Sequence, residues 1–185
     1  MNMKRLVPKI KKIKLIILDV DGVLTDGGLI LGHDGFEYMK FNVQDGAGIV
    51  MASKMGYPFA LITGRNTKIV EVRAKMLGIT DVFQKSIFKI DAYLSLLEKY
   101  KCADEQVCYM GDDILDLPLL KRVGLAIAPA SAVKDVRLAA DYITRRAGGE
   151  GAVREAIDMI LDLAGKKKQL LASIMDKSLP VHKLS

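Results

Sequence analysis

Short apolar runs alternate along the chain with longer segments in which apolar residues recur every three or four positions. The runs are typical of strands that are buried on both faces. They lie at 15–18, 58–63, 81–83, 107–110, 125–128 and 142–143. The segments between them have the periodicity of amphipathic helices. Since strands and helices alternate at this spacing, the pattern predicts an α/β fold with a Rossmann-like parallel sheet and helices on both of its faces.

Polar residues and glycines set the predicted helix boundaries. One helix is expected after the segment Gln44-Asp45-Gly46 and ends near Met55. A second has Asn66 as its N-cap and carries apolar residues on or near one face, at Ile69, Val70, Val72, Met76 and Leu77. Further helices are expected at 88–100, after Asp113 as far as Val123, at 132–138, and from the glycine-rich turn 148–151 through Ala164.

A β-hairpin is predicted directly after the first strand. Two apolar segments, 29–31 and 36–41, flank Gly32-His33-Asp34-Gly35, a connection rich in turn-forming residues. This insertion, at about 27–41, is too short to be a separate domain. Because no repeat or linker divides the chain, residues 1–165 are expected to form one domain and residues 166–185 a basic C-terminal tail.

The formal net charge of +6 arises at the two ends of the chain. The first 14 residues carry six Lys or Arg and no acid, and residues 166–185 carry five Lys and one Asp, so the remainder is net acidic. Because no aromatic residues are interleaved with these charges, we expect solvated ends, no nucleic-acid partner and no membrane partner. The sequence contains no run of 18 apolar residues and no signal-peptide pattern, and its two cysteines are expected to be reduced thiols, so we expect a cytoplasmic protein.

The stretch Ile13–Asp26 ends its apolar run in closely spaced acids. Asp19 and Asp21 lie two positions apart, so an extended backbone projects both side chains to one side where the strand leaves the core. Gly22 permits a sharp turn, and Asp26 adds a third acid beside it. Two carboxylates at this spacing repel each other unless a cation or a shared proton relieves them. A plain turn after a strand is the alternative, since Asp and Gly are common turn residues.

Polar residues that follow other strands belong to the same edge of the predicted sheet. Thr63-Gly64-Arg65 follows the second core strand, and Gly111-Asp112-Asp113 follows the strand at 107–110. Lys89, at the start of a helix, is within reach of that edge. Ligands of open parallel sheets bind outside the carboxyl ends of the strands, so we expect these side chains to form one site with Asp19 and Asp21.

The groups gathered at this edge favour phosphoryl transfer. Clustered carboxylates without a His or Cys cluster suit a hard cation, and an open site that keeps several waters suits Mg²⁺. A threonine hydroxyl, glycine amides and a lysine can hold phosphate oxygens. An aspartate can attack phosphorus and form an aspartyl-phosphate. The sequence therefore predicts a Mg²⁺-dependent enzyme that acts on a phosphate ester.

The order DVDGVLTD, ITGR, Lys89 and GDDILD resembles the four motifs of the haloacid dehalogenase superfamily. The resemblance implies that Asp19 is the nucleophile and that Asp21 is the general acid and base. It implies that Thr63 and Lys89 bind the transferring phosphoryl group. It also implies a Mg²⁺ site formed by the Asp19 carboxylate, the Asp21 carbonyl oxygen and Asp112.

Within that superfamily, residues 14–163 resemble the capless branch that hydrolyses 3-deoxy-D-manno-octulosonate 8-phosphate in lipopolysaccharide precursor synthesis. The supporting phrases are TDGGLIL, GHDGFEYMKFNVQDGAGI, LITGRNTKIVEVRAKMLGI and RAGGEGAVREAIDMIL. Members of this branch are tetramers in which a neighbour's hairpin covers the active site, which implies a homotetramer here. The resemblance also places Gly64, Arg65 and Arg73 at the substrate, where two guanidinium groups suit a small anionic sugar acid with both a carboxylate and a phosphate.

Some alternatives stay open. In relatives that act on a nine-carbon sialic-type acid 9-phosphate, a Glu can follow the Thr-Gly pair, so Arg65 favours the eight-carbon substrate. Lys85 stands where the family usually has Gly, and the roles of Asp113 and Asp116 are undecided. In the family the C-terminal tail can enter a neighbouring active site, and whether residues 173–185 do so is open.

Two alternatives are proteins without turnover. A phosphorylation-controlled receiver domain has similar groups on a parallel sheet. In receivers, however, the acid pair and the phosphoacceptor stand on different strands, and the lysine follows a late strand. Here Lys89 precedes Asp112, and Asp21 stands beside the nucleophile. An inactive regulatory subunit with the same fold is disfavoured by the intact set of motif residues.

Overall fold

One six-stranded sheet organises the protein in the computed structural model, which describes residues 3–176. With the two hairpin strands included, the strands are β1 (Leu15–Leu18), β2 (Ile30–Leu31), β3 (Glu37–Tyr38), β4 (Phe59–Ile62), β5 (Asp81–Phe83), β6 (Val107–Met110), β7 (Leu125–Ala128) and β8 (Tyr142–Ile143). The sheet has the order β5-β4-β1-β6-β7-β8, and every neighbouring pair is parallel. The predicted parallel α/β sheet is therefore confirmed, with β1 at its centre.

Helices cover both faces of the sheet. They are α1 (Val7–Ile10), α2 (Val43–Lys54), α3 (Lys68–Leu77), α4 (Ile90–Tyr100), α5 (Leu117–Leu120), α6 (Lys134–Ala139), α7 (Ala152–Leu163) and α8 (Lys167–Met175). Short 3₁₀ turns lie at Met3–Leu6, Asp104–Gln106 and Ile114–Asp116.

The core consists of two apolar layers because side chains alternate along each strand. Ile16 and Leu18 of β1 join one layer, which also contains buried residues of α1, α2, α3, α7 and α8. Leu15 and Ile17 join the other layer, with buried residues of α4, α5 and α6. All four residues of β1 are at most 2% exposed. The apolar run that ends in Asp19 is thus the central strand, and its carboxyl end is the natural place for a site.

Three helix predictions need correction. Helix α3 is capped by Thr67 and not by Asn66, since the Thr67 hydroxyl accepts a hydrogen bond from the Ile69 amide (3.2 Å). Val72 and Met76 of this helix are 51% and 46% exposed, so they do not belong to its buried face. The helix expected from Asp113 to Val123 is a 3₁₀ turn followed by the four-residue α5.

The insertion after β1 is a hairpin, as predicted. Strands β2 and β3 pair antiparallel, with Ile30 opposite Tyr38 and Leu31 opposite Glu37. Five of its large apolar side chains are exposed to solvent, at Leu29, Ile30, Leu31, Phe36 and Tyr38.

Most basic side chains of the two ends are exposed among the described residues, as expected, but the segments that carry them are packed on the core. Leu6 and Ile10 near the N-terminus are at most 1% exposed, and Leu170 of α8 is 4% exposed, so each end is anchored in the core by apolar residues. The Lys166 ammonium donates to the Met55 carbonyl (2.9 Å) and lies 4.1 Å from the centre of the Tyr57 ring. The predicted tail 166–185 thus begins as a packed helix, and residues 177–185 lie outside the described part. Across residues 3–176, no helix is long and apolar enough to cross a membrane.

Candidate active site

The carboxyl ends of β1, β4 and β6 bring the predicted site residues to one edge of the sheet. The Asp19 amide donates to the Met110 carbonyl (3.0 Å), which fixes the end of β1 against the end of β6. Gly22 then turns the chain with a φ of +75°. A Cβ atom at Gly22 would lie 2.0 Å from an oxygen of the Asp112 carboxylate, so only glycine allows this close approach.

The predicted nucleophile, Asp19, lies at the floor of the site and is 7% exposed. One carboxylate oxygen accepts a hydrogen bond from the Val20 amide (2.7 Å), and the other pairs with the Lys89 ammonium (2.6 Å). Burial raises the pKa of Asp19 to about 7, although Lys89 opposes this shift. The carboxylate is therefore held in one orientation in an environment that favours a positive counter-charge.

Lys89 reaches the site from the residue before α4, with 5% of its surface exposed. Its ammonium lies 2.6 Å from Asp19 Oδ2, 2.5 Å from Asp116 Oδ1 and 3.2 Å from the Tyr109 hydroxyl. Burial disfavours the charge, but the Asp19 and Asp116 carboxylates outweigh it and raise the pKa of Lys89. The side chain is thus a fixed positive charge beside Asp19, as binding of a phosphoryl group requires.

Asp116 has a structural role that the sequence left undecided. Its carboxylate is fully buried and accepts four hydrogen bonds. Lys89 and Tyr109 donate to Oδ1 (2.5 Å each), and the amides of Asp112 and Asp113 donate to Oδ2 (2.8 and 3.1 Å). Asp113 itself is exposed, and its side chain accepts from the Ile114 amide (2.6 Å). Asp116 therefore fixes both Lys89 and the loop that carries Asp112.

The donor set fits a hard divalent cation. Carboxylate oxygens of Asp19, Asp112 and Asp116 lie within 4.8 Å of one another. Because Asp116 already accepts four hydrogen bonds, Asp19 and Asp112 are the carboxylates with capacity for a metal ion. Burial, with Asp116 nearby, raises the pKa of Asp112 to about 7. Two crowded carboxylates, both with raised pKa values, make an oxygen-only site whose repulsion a Mg²⁺ ion would relieve.

Asp21 lies nearer the surface, beside groups from β4 and the hairpin. Its carboxylate accepts hydrogen bonds from the Thr63 hydroxyl (3.3 Å) and from Arg65 Nη1 (3.1 Å). Arg65 Nη2 also donates to Glu37 of β3 (2.5 Å). Glu37 was missed by the sequence analysis because only the folded hairpin brings it to Arg65. The chain Asp21–Arg65–Glu37 links the predicted general acid to the hairpin.

The structure does not bring every predicted substrate residue into this network. Arg73 donates to the Asn42 carbonyl (3.3 Å) and stacks 5.5 Å from the centre of the Phe41 ring. Among the described residues, it has no hydrogen bond or ion pair with the acids of the site. Gly64 lies against the backbone of Ile87, where a Cβ atom would be 3.8 Å from Ile87 Cα.

The loop before Lys89 contains one strained residue. Lys85 has a φ of +57°, the left-handed conformation that glycine adopts at least cost. Its amide donates to the Arg65 carbonyl (3.0 Å), and the Ser86 amide donates to the Thr63 carbonyl (3.0 Å). The loop thus keeps a conformation suited to glycine and ties the end of β4 to the segment that delivers Lys89.

Comparison with known proteins decides the family. The family model described as haloacid dehalogenase-like hydrolase matches residues 60–157. The chain is 48% identical over 160 residues to the 3-deoxy-D-manno-octulosonate 8-phosphate phosphatase KdsC of Escherichia coli strain K12, covering 86% of this chain and 85% of that protein. The protein is a haloacid dehalogenase-like hydrolase. The superfamily resemblance found in its four motifs is thereby confirmed.

Solved structures match most of the chain with the same fold. A 3-deoxy-D-manno-octulosonate 8-phosphate phosphatase from Yersinia pestis is 43% identical with a TM-score of 0.86, covering 88% of each chain. The enzyme of that name from Moraxella catarrhalis, in complex with a magnesium ion, a phosphate ion and a KDO molecule, is 36% identical with a TM-score of 0.91. The alignment covers 94% of this chain and 99% of the Moraxella catarrhalis chain.

Proposed function

We propose that this protein hydrolyses 3-deoxy-D-manno-octulosonate 8-phosphate to the free sugar acid and phosphate in lipopolysaccharide precursor synthesis, with Mg²⁺ as cofactor. The observation that carries the proposal is the buried Asp19–Lys89 pair beside Asp112. It occurs in a chain that is 48% identical to a phosphatase of that name. The Moraxella relative binds magnesium, phosphate and KDO together, which supports both the cofactor and the substrate.

Asp19 is the proposed nucleophile of the first step. Its carboxylate oxygen forms a bond to phosphorus while the bond from phosphorus to the sugar oxygen breaks, which leaves an aspartyl-phosphate. Asp21 acts as the general acid of this step and gives a proton to the leaving sugar oxygen. Thr63 and Lys89 bind the phosphoryl oxygens, and the Lys89 charge stabilises the negative charge that develops on them.

Asp21 reverses its role in the second step. It takes a proton from a water molecule as that oxygen attacks phosphorus, and the bond between phosphorus and Asp19 breaks. Phosphate leaves, Asp19 is a carboxylate again, and Asp21 is reprotonated. Asp19, Asp112 and the Asp21 carbonyl oxygen would hold Mg²⁺, which when bound supplies positive charge to the phosphoryl group.

Arg65 and Arg73 are the proposed contacts for the carboxylate of the sugar acid. Arg65 supports this assignment because its guanidinium stands between the general acid and the hairpin, with 34% of the side chain exposed. A planar guanidinium suits a carboxylate through two parallel hydrogen bonds. Arg73 would have to leave the Asn42 carbonyl to reach the substrate, so its role depends on a side-chain movement.

Phosphate release with a substrate panel tests the proposal. The panel contains the eight-carbon acid 8-phosphate, a nine-carbon sialic-type acid 9-phosphate and hexose phosphates, each assayed with Mg²⁺ and with a chelator. We expect the highest kcat/KM for the eight-carbon acid and no turnover with chelator. A preference for the nine-carbon acid would keep the mechanism but replace the substrate. No release from any compound would favour the regulatory alternative.

A homotetramer is the proposed assembly, with the hairpin of one subunit covering the site of the next. The hairpin exposes five large apolar side chains, and the rim of the site exposes four more, at Ile87, Phe88, Ile114 and Leu115. Burying these two apolar surfaces against each other would remove both from water. A native mass four times that of one chain supports the assembly, and a monomeric mass in the active enzyme contradicts it. The cytoplasmic location stays a prediction.

A further inference from the structure

Tyr109 lies under the proposed active site and has no role in the motifs. It belongs to β6, is fully buried, and directs its hydroxyl towards the carboxyl end of the sheet. The hydroxyl donates a hydrogen bond to Asp116 Oδ1 (2.5 Å) and accepts one from the Lys89 ammonium (3.2 Å). A phenol hydroxyl has one proton to donate and an oxygen that can accept. The Asp116 contact uses the proton, and the Lys89 contact uses the oxygen.

The Lys89 ammonium has three protons and three acceptors. Asp19 Oδ2, Asp116 Oδ1 and the Tyr109 oxygen each lie within 3.2 Å of Nζ. Two of these acceptors are carboxylates, the reacting Asp19 and the loop-holding Asp116. The Tyr109 hydroxyl is the neutral acceptor of the three. Asp116 and Tyr109 keep two of these protons in place, and the third, on Asp19, is the one that an oxygen of a phosphoryl group on Asp19 would accept.

Tyr109 also weakens the competition between the two carboxylates for Lys89. Asp116 Oδ1 receives both the ammonium and the phenol proton, so part of its negative charge is already engaged. Without the phenol, Oδ1 would attract the ammonium more strongly and draw it away from Asp19. Burial, with Asp116 next to it, raises the pKa of Tyr109 well above its ordinary value, so the hydroxyl keeps its proton.

We propose that Tyr109 is a positioning residue for the phosphatase reaction, whose hydroxyl fixes the Lys89 ammonium between Asp116 and the phosphoryl group on Asp19. The inference rests on the proposed function, since it assigns Lys89 to the phosphoryl group. It adds a residue that acts through Lys89 and not by contact with the substrate. A fixed charge stabilises a transition state better than one that must first reorient.

Tyr109→Phe tests the proposal, with Tyr93→Phe as the matched control. Tyr93 is also fully buried, belongs to the same apolar layer, and donates to Asp104 (2.8 Å) at the amino-terminal end of β6. Each variant removes one tyrosine hydroxyl that donates to an aspartate; since the Tyr93 bond is only partly buried, Tyr109→Phe should lower the Tm at least as much as Tyr93→Phe. Only Tyr109→Phe changes the surroundings of Lys89.

The readouts are kcat, KM, and the inhibition constant of vanadate, an analogue of the phosphoryl group in the transition state. For Tyr109→Phe we expect kcat to fall about tenfold and the vanadate constant to rise about tenfold, with KM within about twofold, the size of effect of one hydrogen bond to a charged group. Tyr93→Phe should match the wild type in all three.

The outcomes separate the inference from the proposed function. A wild-type protein that releases no phosphate refutes the function itself. An active wild type with Tyr109→Phe kinetics equal to those of Tyr93→Phe refutes only the role of Tyr109. A fall in kcat with an unchanged vanadate inhibition constant would indicate that part of the protein is inactive. A Tyr109→Phe variant that does not fold would indicate that the hydroxyl is needed for stability and not for positioning Lys89. Either result also overturns the proposal.

Discussion

Replacing Asp116 by Asn would change the site by one charge and no volume, and the hydrogen bonds around it make the effect large. Four donors surround the Asp116 carboxylate in two pairs. Lys89 and Tyr109 donate to Oδ1, and two backbone amides donate to Oδ2. A carboxamide has an acceptor on only one side. In either orientation its NH₂ group faces two donors, so one pair loses its acceptor.

The size of the effect follows from burial. Breaking a buried ion pair by removing one partner costs about 3–5 kcal/mol, and Lys89 keeps Asp19 as a second partner, so we expect the lower end, about 3 kcal/mol. For a domain of this length, each kcal/mol lowers the Tm by about 2–4 °C, so the variant should melt roughly 6–12 °C lower. Because Lys89 also loses an anchor, kcat should fall.

Urea unfolding followed by circular dichroism measures the free energy of unfolding, with Asp113→Asn as the control from the same loop. Asp113 is exposed, and its side chain accepts a hydrogen bond from the Ile114 amide, which an Asn side-chain oxygen can accept equally. The control should stay within about 0.5 kcal/mol of the wild type. If Asp116→Asn is as stable as this control, the account of Asp116 as the buried anchor is refuted.

Two further predictions concern the nucleophile Asp19 and Glu155 of α7. Asp19→Asn should reduce turnover at least about a thousandfold while the protein stays folded, because it removes the nucleophile and a metal ligand at constant volume. Residual activity near the wild-type level would exclude covalent catalysis by Asp19. Burial opposes the charge of Glu155, but donors from Arg145, Tyr142 and Arg146 outweigh it and lower its pKa below the ordinary 4.5. Its contribution to stability is therefore present above pH 4.5 and lost as the pH falls through the lowered value, so Glu155→Gln should be less stable at pH 7 and the difference should shrink in acid. A difference independent of pH would contradict this assignment.

Much of the fold could be predicted because continuous apolar runs become the strands of a sheet covered on both faces. The runs at 15–18 and 107–110 coincide with β1 and β6, the two strands that hold most of the site. Helix boundaries that are set by a single side chain were harder to predict. Asn66 and Thr67 are both good N-caps, and the choice depends on the backbone, since Thr67 has the extended conformation that lets its hydroxyl cap α3.

The site could be predicted where its chemistry lies on strand ends and not where it depends on contacts across the fold. Asp19, Asp21, Thr63 and Asp112 follow from the sheet rule. The role of Asp116 could not be predicted from its position in the sequence, because it requires that the side chain turn back towards two backbone amides and Lys89. Glu37 and Tyr109 gave no signal, since a hairpin acid and a strand tyrosine become site residues only through partners distant in the sequence.

Direct detection of the covalent intermediate tests the central claim. A single turnover of the eight-carbon acid 8-phosphate would be quenched in acid within the first milliseconds, and the digested peptides would be examined by mass spectrometry. The mechanism predicts one phosphoryl group, on the peptide containing Asp19, that appears before free phosphate and is absent from Asp19→Asn. Free phosphate that accumulates without any phosphorylated peptide, or a phosphoryl group on another residue, would contradict it.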